Sequence, residues 1–215
     1  ERIKSILPID AVIMAGGEGR RLRPLTDELP KPLLLVGNKP ILEYNIDRLR
    51  DYGVENCYIT IKYLGSKIKQ YFGDGNERNI KIKYVEELES PLGTIGSINL
   101  IEHFDHDTIL VMNSDLLTNI DFEDFYLEFI KGGADMAVAT IPYLVKIPYA
   151  VLETDQQFIT GFKEKPTYTY FSNAGIYLLK KEVTEIIPKN SHYNATDLMD
   201  SLINAGKKVI TYPLY

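Results

Sequence analysis

The chain has 215 residues, of which 45% are hydrophobic and 25% are charged, and its formal net charge is -6. This length is enough for one α/β domain with its own core. No apolar run of about 18 residues occurs, so no membrane span is predicted. The acidic balance argues against a general nucleic-acid-binding surface. Because Cys57 is the only cysteine, an internal disulfide is excluded and we expect a reducing, cytoplasmic environment.

Apolar strands and amphipathic helices alternate in the first half of the chain. Strands are predicted at 11–15, 56–61, 80–85 and 108–112, and helices at 41–49, 65–71 and 94–103. In the second half strands and turns dominate. Strands are predicted there at 136–141, 150–153, 158–163, 174–179 and 209–215, with one helix at 196–205.

The order of these elements predicts the fold class. Repeated strand, loop and helix units are typical of a doubly wound, Rossmann-like α/β fold with a mixed, mostly parallel sheet, and the second half is expected to add a β-rich lid. Residues 1–9 are predicted to be a connector and 10–215 a single domain. The apolar run at 209–215 reaches the last residue, so we expect this domain to be truncated at its C-terminus.

A glycine-rich segment directly follows the first predicted strand. Gly16, Gly17 and Gly19 would let backbone N–H groups approach phosphate oxygens without a Cβ in the way, although the glycines alone also fit an ordinary tight turn. No Gly-Lys-Ser/Thr follows and the spacing is not G-x-G-x-x-G, which excludes a P-loop and a dinucleotide fingerprint. Five basic residues gather nearby and predict a small anionic ligand: Arg20, Arg21, Arg23, Lys31 and Lys39.

A second polar segment, Asn113-Ser114-Asp115, closes the predicted strand at 108–112. Ligands of doubly wound sheets gather at the carboxyl ends of the strands, so Asp115 is expected to face the glycine-rich segment. Magnesium prefers oxygen ligands and often takes only one or two carboxylates, with phosphates and water in its other positions. Asp115 is therefore a candidate Mg²⁺ ligand, and a helix or turn cap is the alternative for this residue.

One stretch carries a family resemblance. The sequence Ala11-Val12-Ile13-Met14-Ala15-Gly16-Gly17-Glu18-Gly19-Arg20-Arg21-Leu22-Arg23-Pro24-Leu25-Thr26, with Pro30-Lys31-Pro32 and Lys39-Pro40-Ile41 after it, resembles the signature of the sugar-1-phosphate nucleotidyltransferases, or NDP-sugar pyrophosphorylases. It looks most like the mannose-1-phosphate guanylyltransferase-like members. The resemblance implies transfer of a nucleoside monophosphate from a nucleoside triphosphate to a sugar 1-phosphate, with Mg²⁺ and release of pyrophosphate. It departs from the family at Arg20, where many members carry threonine.

The resemblance also implies roles for individual residues. Arg21, Lys31 and Asp115 match catalytic positions, and Asp115 matches a metal ligand. The nucleotide is expected to contact Ala15, Gly16, Gly17, Gly19, Arg20, Glu86, Gly93 and Thr94, and Glu87 beside Glu86 is a further candidate for base or ribose donors. The sugar is expected to contact Ala150, Glu164, Lys165, Asn173 and Gly175, which lie in the predicted lid.

Several alternatives stay open at this point. A cytidylyltransferase acting on a non-sugar phosphate shares the fold, and so does a non-catalytic regulatory domain that binds a nucleotide sugar. A guanylyl donor is favoured over a uridylyl or thymidylyl donor by likeness alone. Relatives usually supply a second metal aspartate near the C-terminus, but Asp197 is expected near the start of the helix at 196–205 instead. An upstream regulatory module and a homo-oligomer remain open.

Overall fold

The computed structural model describes residues 6–87 and 91–215. Its strands are β1 (Ile9–Ala15), β2 (Leu35–Val36), β3 (Lys39–Pro40), β4 (Asn56–Ile61), β5 (Lys81–Glu86), β6 (Thr108–Asn113), β7 (Met136–Lys146), β8 (Val151–Asp155), β9 (Phe158–Lys163), β10 (Thr167–Lys180) and β11 (Val209–Pro213). Its α-helices are α1 (Ile41–Asp51), α2 (Gly65–Phe72), α3 (Phe122–Lys131) and α4 (Ala195–Asn204). No helix in the described part of the chain is long and apolar enough to cross a membrane.

A seven-stranded sheet forms the centre of the fold, in the order β11-β7-β10-β6-β1-β4-β5. Strand β10 runs antiparallel to β6 and β7, and the other pairs of neighbours in this sheet are parallel. The central strands β1, β4 and β6 are continuous apolar runs because helices cover both of their faces. The predicted mixed, mostly parallel α/β sheet is confirmed.

The helices lie on opposite faces of this sheet. Side chains of β1 alternate between the two faces, so that Ile13 joins a core with α1, α2 and α3, while Val12 joins a second core with α4. Helix α1 contributes Leu42, Ile46 and Leu49 to the first core, at the spacing of one helical face. This arrangement is the two-layered cover that the doubly wound prediction requires.

The structure differs from the sequence prediction in one predicted helix, in one helix that was not predicted and in the start of the domain. The predicted helix at 94–103 is only a short 3-10 segment, Gly96–Leu100. The N–H groups of Ile95 and Gly96 donate to the carbonyl of Tyr193, and a Cβ on Gly96 would lie 2.7 Å from the carbonyl oxygen of Ser191. Helix α3 was not predicted, although Asp121 accepts hydrogen bonds from two N–H groups at its start. Buried Leu7 already belongs to the first core, so the core begins inside the predicted connector.

The predicted lid is built from two β-ribbons. Strands β7 and β10 extend beyond the sheet as a two-stranded ribbon that pairs Ile141 to Lys146 with Thr167 to Ser172, and β8 and β9 form a separate antiparallel hairpin between them in sequence. In this hairpin Leu152 pairs with Phe162, and both side chains are exposed. The lid is therefore an extended and largely solvent-exposed β structure, longer in β10 than the predicted 174–179.

Candidate active site

The carboxyl ends of β1 and β6 lie side by side at one edge of the sheet. Met14 pairs with Asn113 in the register, and the N–H of Ser114 donates to the carbonyl of Met14 at 3.1 Å. A cavity of about 450 Å³ opens at this edge. It is lined by Met14, Gly16, Gly17, Gly19, Arg20, Arg21, Leu22, Lys31, Pro32, Thr60, Glu87, Pro91, Gly93, Thr94, Asn113, Ser114 and Asp115.

The conformation of the glycine-rich segment is fixed by close contacts at Gly19. Gly19 has φ +63°, and a Cβ there would lie 3.0 Å from Cγ2 of Thr26 and 3.2 Å from Cβ of Lys31, so glycine is required. The Thr26 hydroxyl donates to the Gly19 carbonyl at 3.0 Å. Within residues 6–87 and 91–215, the N–H groups of residues 16–19 donate no hydrogen bond to another residue. These four donors are available to a ligand, as in a phosphate-binding loop.

Among the arginines of this segment, Arg21 differs in its surroundings. The guanidinium of Arg20 makes two hydrogen bonds to Glu18, at 2.7 and 3.1 Å, and this contact holds the pKa of the Glu18 carboxyl below its usual value. Arg23 pairs with Asp27 at 3.3 Å. Arg21 lines the cavity and has no acidic partner among the residues that the structure describes. Its charge is therefore available to an anion in the cavity.

Lys31 and Asp115 meet in the cavity although they are far apart in sequence. The Lys31 ammonium contacts the Asp115 carboxylate directly, and both side chains are about one third exposed. No group of three or more His, Cys, Asp or Glu side chains that could hold a metal occurs in the described ranges. The Asp115 carboxylate opens onto the cavity, which fits Mg²⁺, because this ion often takes one or two protein carboxylates and its remaining oxygen ligands from phosphates and water. The arrangement does not fit a closed structural metal site.

The two adjacent glutamates before the turn at 92–96 are placed differently. Glu87 is 8% exposed and lines the cavity, and its Oε2 accepts the N–H of Leu92 at 3.0 Å. Its Oε1 lies against Gly16, where a Cβ would be 3.0 Å away. Glu86 lies outside the cavity lining, is exposed and pairs with Lys69. The structure therefore places Glu87, and not Glu86, beside the glycine-rich segment.

The other predicted nucleotide contacts lie on the cavity or at its floor. Gly16, Gly17, Gly19, Arg20, Gly93 and Thr94 line the cavity, and Ala15 is buried at the end of β1 directly before the loop. Two well-separated parts of the sequence, 15–20 and 93–94, are thus brought to one edge of the sheet.

The predicted sugar residues differ in their relation to this cavity. Gly175 is at its border, because a Cβ at this residue (φ +74°) would lie 2.4 Å from Nδ2 of Asn113, which lines the cavity. The Asn173 side chain is tied locally, accepting from the N–H of Gly175 and donating to the Tyr177 hydroxyl, both at 2.8 Å. The remaining three are exposed on the lid and do not line the cavity: Ala150, Glu164 and Lys165.

Comparison with known proteins assigns the family. Residues 10–214 match the family described as nucleotidyl transferase. The chain belongs to this family.

Relatives of this nucleotidyl transferase carry more specific names. A UTP–glucose-1-phosphate uridylyltransferase of Synechocystis is 31% identical over 215 residues, which cover 91% of this chain and 55% of the relative. A mannose-1-phosphate guanylyltransferase of Mycobacterium tuberculosis is 32% identical over 188 residues, covering 84% and 51%. The chain spans about half the length of these relatives. The predicted resemblance to sugar-1-phosphate nucleotidyltransferases is confirmed, and the base differs between the two relatives.

A solved structure supports the fold of this nucleotidyl transferase. A putative glucose-1-phosphate thymidylyltransferase from Bacillus anthracis superimposes with a TM-score of 0.76 at 22% identity, covering 96% of this chain and 87% of the other. At this identity the match shows the shared architecture of sheet and lid, and it carries no conclusion about the substrate.

Sequence reasoning assigned no role to Asn113 and Thr60, which also line the cavity. Both lie on strands whose side chains alternate between the faces, and only the register of β1 with its neighbours brings them beneath the glycine-rich segment. In the part of the chain that the structure describes, the Asn113 amide has no hydrogen-bond partner. The position of Asn113, at the last residue of β6 and two before Asp115, was the available signal.

Proposed function

We propose that this chain transfers a nucleoside monophosphate from a nucleoside triphosphate to a sugar 1-phosphate, forming a nucleotide sugar and pyrophosphate. One observation carries the proposal: the backbone of Gly16, Gly17 and Gly19, whose N–H groups donate to no other described residue, lines one cavity of about 450 Å³ together with Arg21, Lys31 and Asp115. A cavity of this size accommodates a nucleotide-sized ligand. The names of the two relatives support the same reaction class.

In this reaction the sugar phosphate attacks the α-phosphorus in line and pyrophosphate leaves, so the protein acts mainly by positioning and by stabilising charge. The N–H groups of residues 16–19 bind phosphate oxygens of the triphosphate. Arg21, which has no acidic partner in the described residues, neutralises charge on the leaving pyrophosphate. Lys31 exchanges its contact with Asp115 for an oxygen of the reacting phosphates.

Asp115 would hold Mg²⁺ together with oxygens of the bound phosphates. A metal ion at this position supplies positive charge at the reacting phosphorus. With a cation held by Asp115, the Lys31 ammonium would be free to bind a phosphate oxygen. The position of the Asp115 carboxylate at the cavity and the open side of the cavity support this assignment.

We propose a sugar 1-phosphate as the acceptor because the lid residues match the sugar-binding motifs of the family. We expect Glu164 to accept hydroxyl protons of the sugar and Lys165 to neutralise its phosphate, with Asn173 as a further polar contact. Ala150 and Gly175 would shape the pocket around the ring. Gly175 already borders the cavity through Asn113, whereas Glu164 and Lys165, between β9 and β10, are exposed and do not line it. Their contacts with the sugar would require the lid to lie nearer the cavity when substrates are bound.

We propose guanine as the base, and the Glu87 carboxylate supports this choice. The Glu87 carboxylate can only accept hydrogen bonds, and it is buried between the glycine-rich segment and the turn at 92–96. Guanine offers it two neighbouring donors, the ring N1–H and the 2-amino group, whereas uracil and thymine offer a single ring N–H. The two donors of guanine would satisfy the buried negative charge of Glu87 better than the single donor of uracil or thymine.

Pyrophosphate release tests the proposal directly. The protein is incubated with Mg²⁺, each of four nucleoside triphosphates and a panel of sugar 1-phosphates, with phosphocholine as a non-sugar acceptor. We expect release with a sugar 1-phosphate, and fastest with GTP. Release from CTP with phosphocholine alone would reject the sugar acceptor. No release with any pair, together with binding of a nucleotide sugar, would instead identify a non-catalytic binding domain.

A further inference from the structure

The turn at 92–96 is bound along its length to a segment from much later in the chain, residues 191–195, which we call the support segment. The N–H of Tyr193 donates to the carbonyl of Leu92 at 2.9 Å. In return, the N–H groups of Ile95 and Gly96 both donate to the carbonyl of Tyr193 at 3.1 Å. The position of the turn therefore depends on the support segment, because the two backbones are hydrogen-bonded to each other.

The two segments are also too close to slide past each other. Gly93 has φ +79°, and a Cβ there would lie 2.6 Å from the carbonyl oxygen of Tyr193. A Cβ on Gly96 would lie 2.7 Å from the carbonyl oxygen of Ser191. Both approaches involve backbone atoms, which cannot rotate away as a side chain does. A displacement of the support segment is thus transmitted to the turn.

One side-chain exchange links the centre of the turn to the start of α4. The N–H of Thr94 donates to Oδ1 of Asn194 at 3.3 Å, and the Thr94 hydroxyl accepts the N–H of Ala195 at 2.9 Å. Thr94 lines the cavity, whereas Asn194 does not. The amide of Asn194 is therefore placed to fix the conformation of Thr94 from outside the cavity.

We propose that Asn194 is a positioning residue for the nucleotide, which it holds through Thr94 without touching it. This inference rests on the proposed function, in which the nucleoside lies against Gly93 and Thr94. Asn194 also belongs to the capping box of α4, in which its side chain accepts a backbone N–H of the first turn and the Asp197 carboxylate accepts the N–H of Asn194 at 2.8 Å. Leu198 and Leu202, which are buried in the second core, stabilise the helix independently of this cap. The predicted place of Asp197 near the start of this helix is confirmed by its contact with Asn194.

Substitutions at Asn194 separate the contact with Thr94 from the capping of α4. Serine is as good a residue as asparagine at a helix start, but its hydroxyl is too short to reach the N–H of Thr94. Asn194→Asp keeps both the capping preference and the Oδ1 acceptor. The control is Asp121→Ala, which removes the cap of α3, in a helix that does not line the cavity.

The test measures KM for the nucleoside triphosphate, KM for the sugar 1-phosphate, kcat and thermal stability, together with direct binding of GTP by calorimetry. We expect Asn194→Ser to raise KM for the triphosphate and the dissociation constant for GTP about fivefold, as the loss of one ordinary hydrogen bond does. The sugar KM and the thermal midpoint should stay as in the wild type. Asn194→Asp should bind GTP as the wild type does, and Asp121→Ala should lower the thermal midpoint without changing GTP binding.

Three results would overturn the inference. These are unchanged GTP binding in Asn194→Ser, an equal loss in Asn194→Asp, and a loss that follows thermal stability across all variants including Asp121→Ala. The failure of the proposed function is distinguishable, because it would appear as a wild-type protein that releases no pyrophosphate with any substrate pair. Calorimetry with GTP still reads out the role of Asn194 in that case.

Discussion

Gly93 gives a prediction whose size follows from the structure. Its φ of +79° is in the left-handed region, and alanine there carries a strain of about 1 to 2 kcal/mol. The added Cβ would lie 2.6 Å from the Tyr193 carbonyl oxygen, about 1 Å less than the separation at which non-bonded heavy atoms pack without repulsion. Relieving that contact adds about 1 to 3 kcal/mol. We expect Gly93→Ala to lower the free energy of unfolding by about 2 to 5 kcal/mol in total.

A matched control separates the two contributions. Gly206 has φ +68°, and a Cβ added there would meet no atom within 4 Å, so Gly206→Ala carries the backbone strain without the clash. Urea unfolding should therefore show a loss of about 1 to 2 kcal/mol in this variant. Because a misplacement of about 1 Å can reduce turnover about a hundredfold, we also expect Gly93→Ala to lose kcat/KM for the triphosphate and Gly206→Ala to keep it.

The outcome can refute this reasoning in two ways. If Gly93→Ala is no less stable than Gly206→Ala, the turn does not press against the support segment as the distances require. If Gly93→Ala is less stable but retains full kcat/KM, the turn is a structural element and the nucleotide does not lie against it.

Three further predictions concern other parts of the molecule. Asp115→Ala and Arg21→Ala should each lower turnover at least about a hundredfold in the pyrophosphate assay, since each removes a preorganised charge, and wild-type rates in both would show that the site is misplaced. Lys180 and the N–H of Lys208 lower the pKa of Asp135, so its contribution is present above the unfolded pKa and is lost as the pH falls through the folded pKa. Asp135→Asn should therefore lower the free energy of unfolding by about 1 kcal/mol at pH 7, with a gap that narrows below about pH 4, and a pH-independent gap would contradict this. Burial raises the pKa of the Cys57 thiol to about 12, so a disulfide reagent at pH 8 should label it only as the protein unfolds, and rapid labelling of folded protein would contradict its burial.

Local sequence signals were sufficient for most of the central sheet and for the phosphate-binding part of the site. The strands β1, β4 and β6 are apolar runs bounded by turn residues, and such runs form buried parallel strands. Because ligands lie at the carboxyl edge of such sheets, Asp115 was predicted to face the glycine-rich segment. The structure places Asp115 against Lys31 at this edge. Helix α3 was also available from the sequence, since Phe122, Phe125 and Phe129 follow a polar cap at helical spacing.

The helix prediction at 94–103 and the choice of Glu86 failed to match the structure for a different reason. Residues 94–103 have a helical pattern, but the hydrogen bonds of residues 94–96 go to residues 193–195, and contacts across about a hundred residues leave no local signal. Adjacent residues at a strand end point to opposite sides, so Glu86 pairs with Lys69 while Glu87 enters the cavity. Which of the two faces the ligand depends on how β5 lies beside β4.

The sequence by itself determined the fold class, the family and the glycine-rich segment with Arg21, Lys31 and Asp115, because these depend on hydrophobic pattern, on residue types and on close spacing. The tertiary structure decided which charges are available to a ligand, since Glu18 and Asp27 occupy Arg20 and Arg23 while Arg21 has no acidic partner in the described ranges. It also decided that Glu87 lines the cavity and that Asn194 holds Thr94. The partner of each side chain depends on how segments that are distant in sequence pack together, and local sequence patterns do not carry this information.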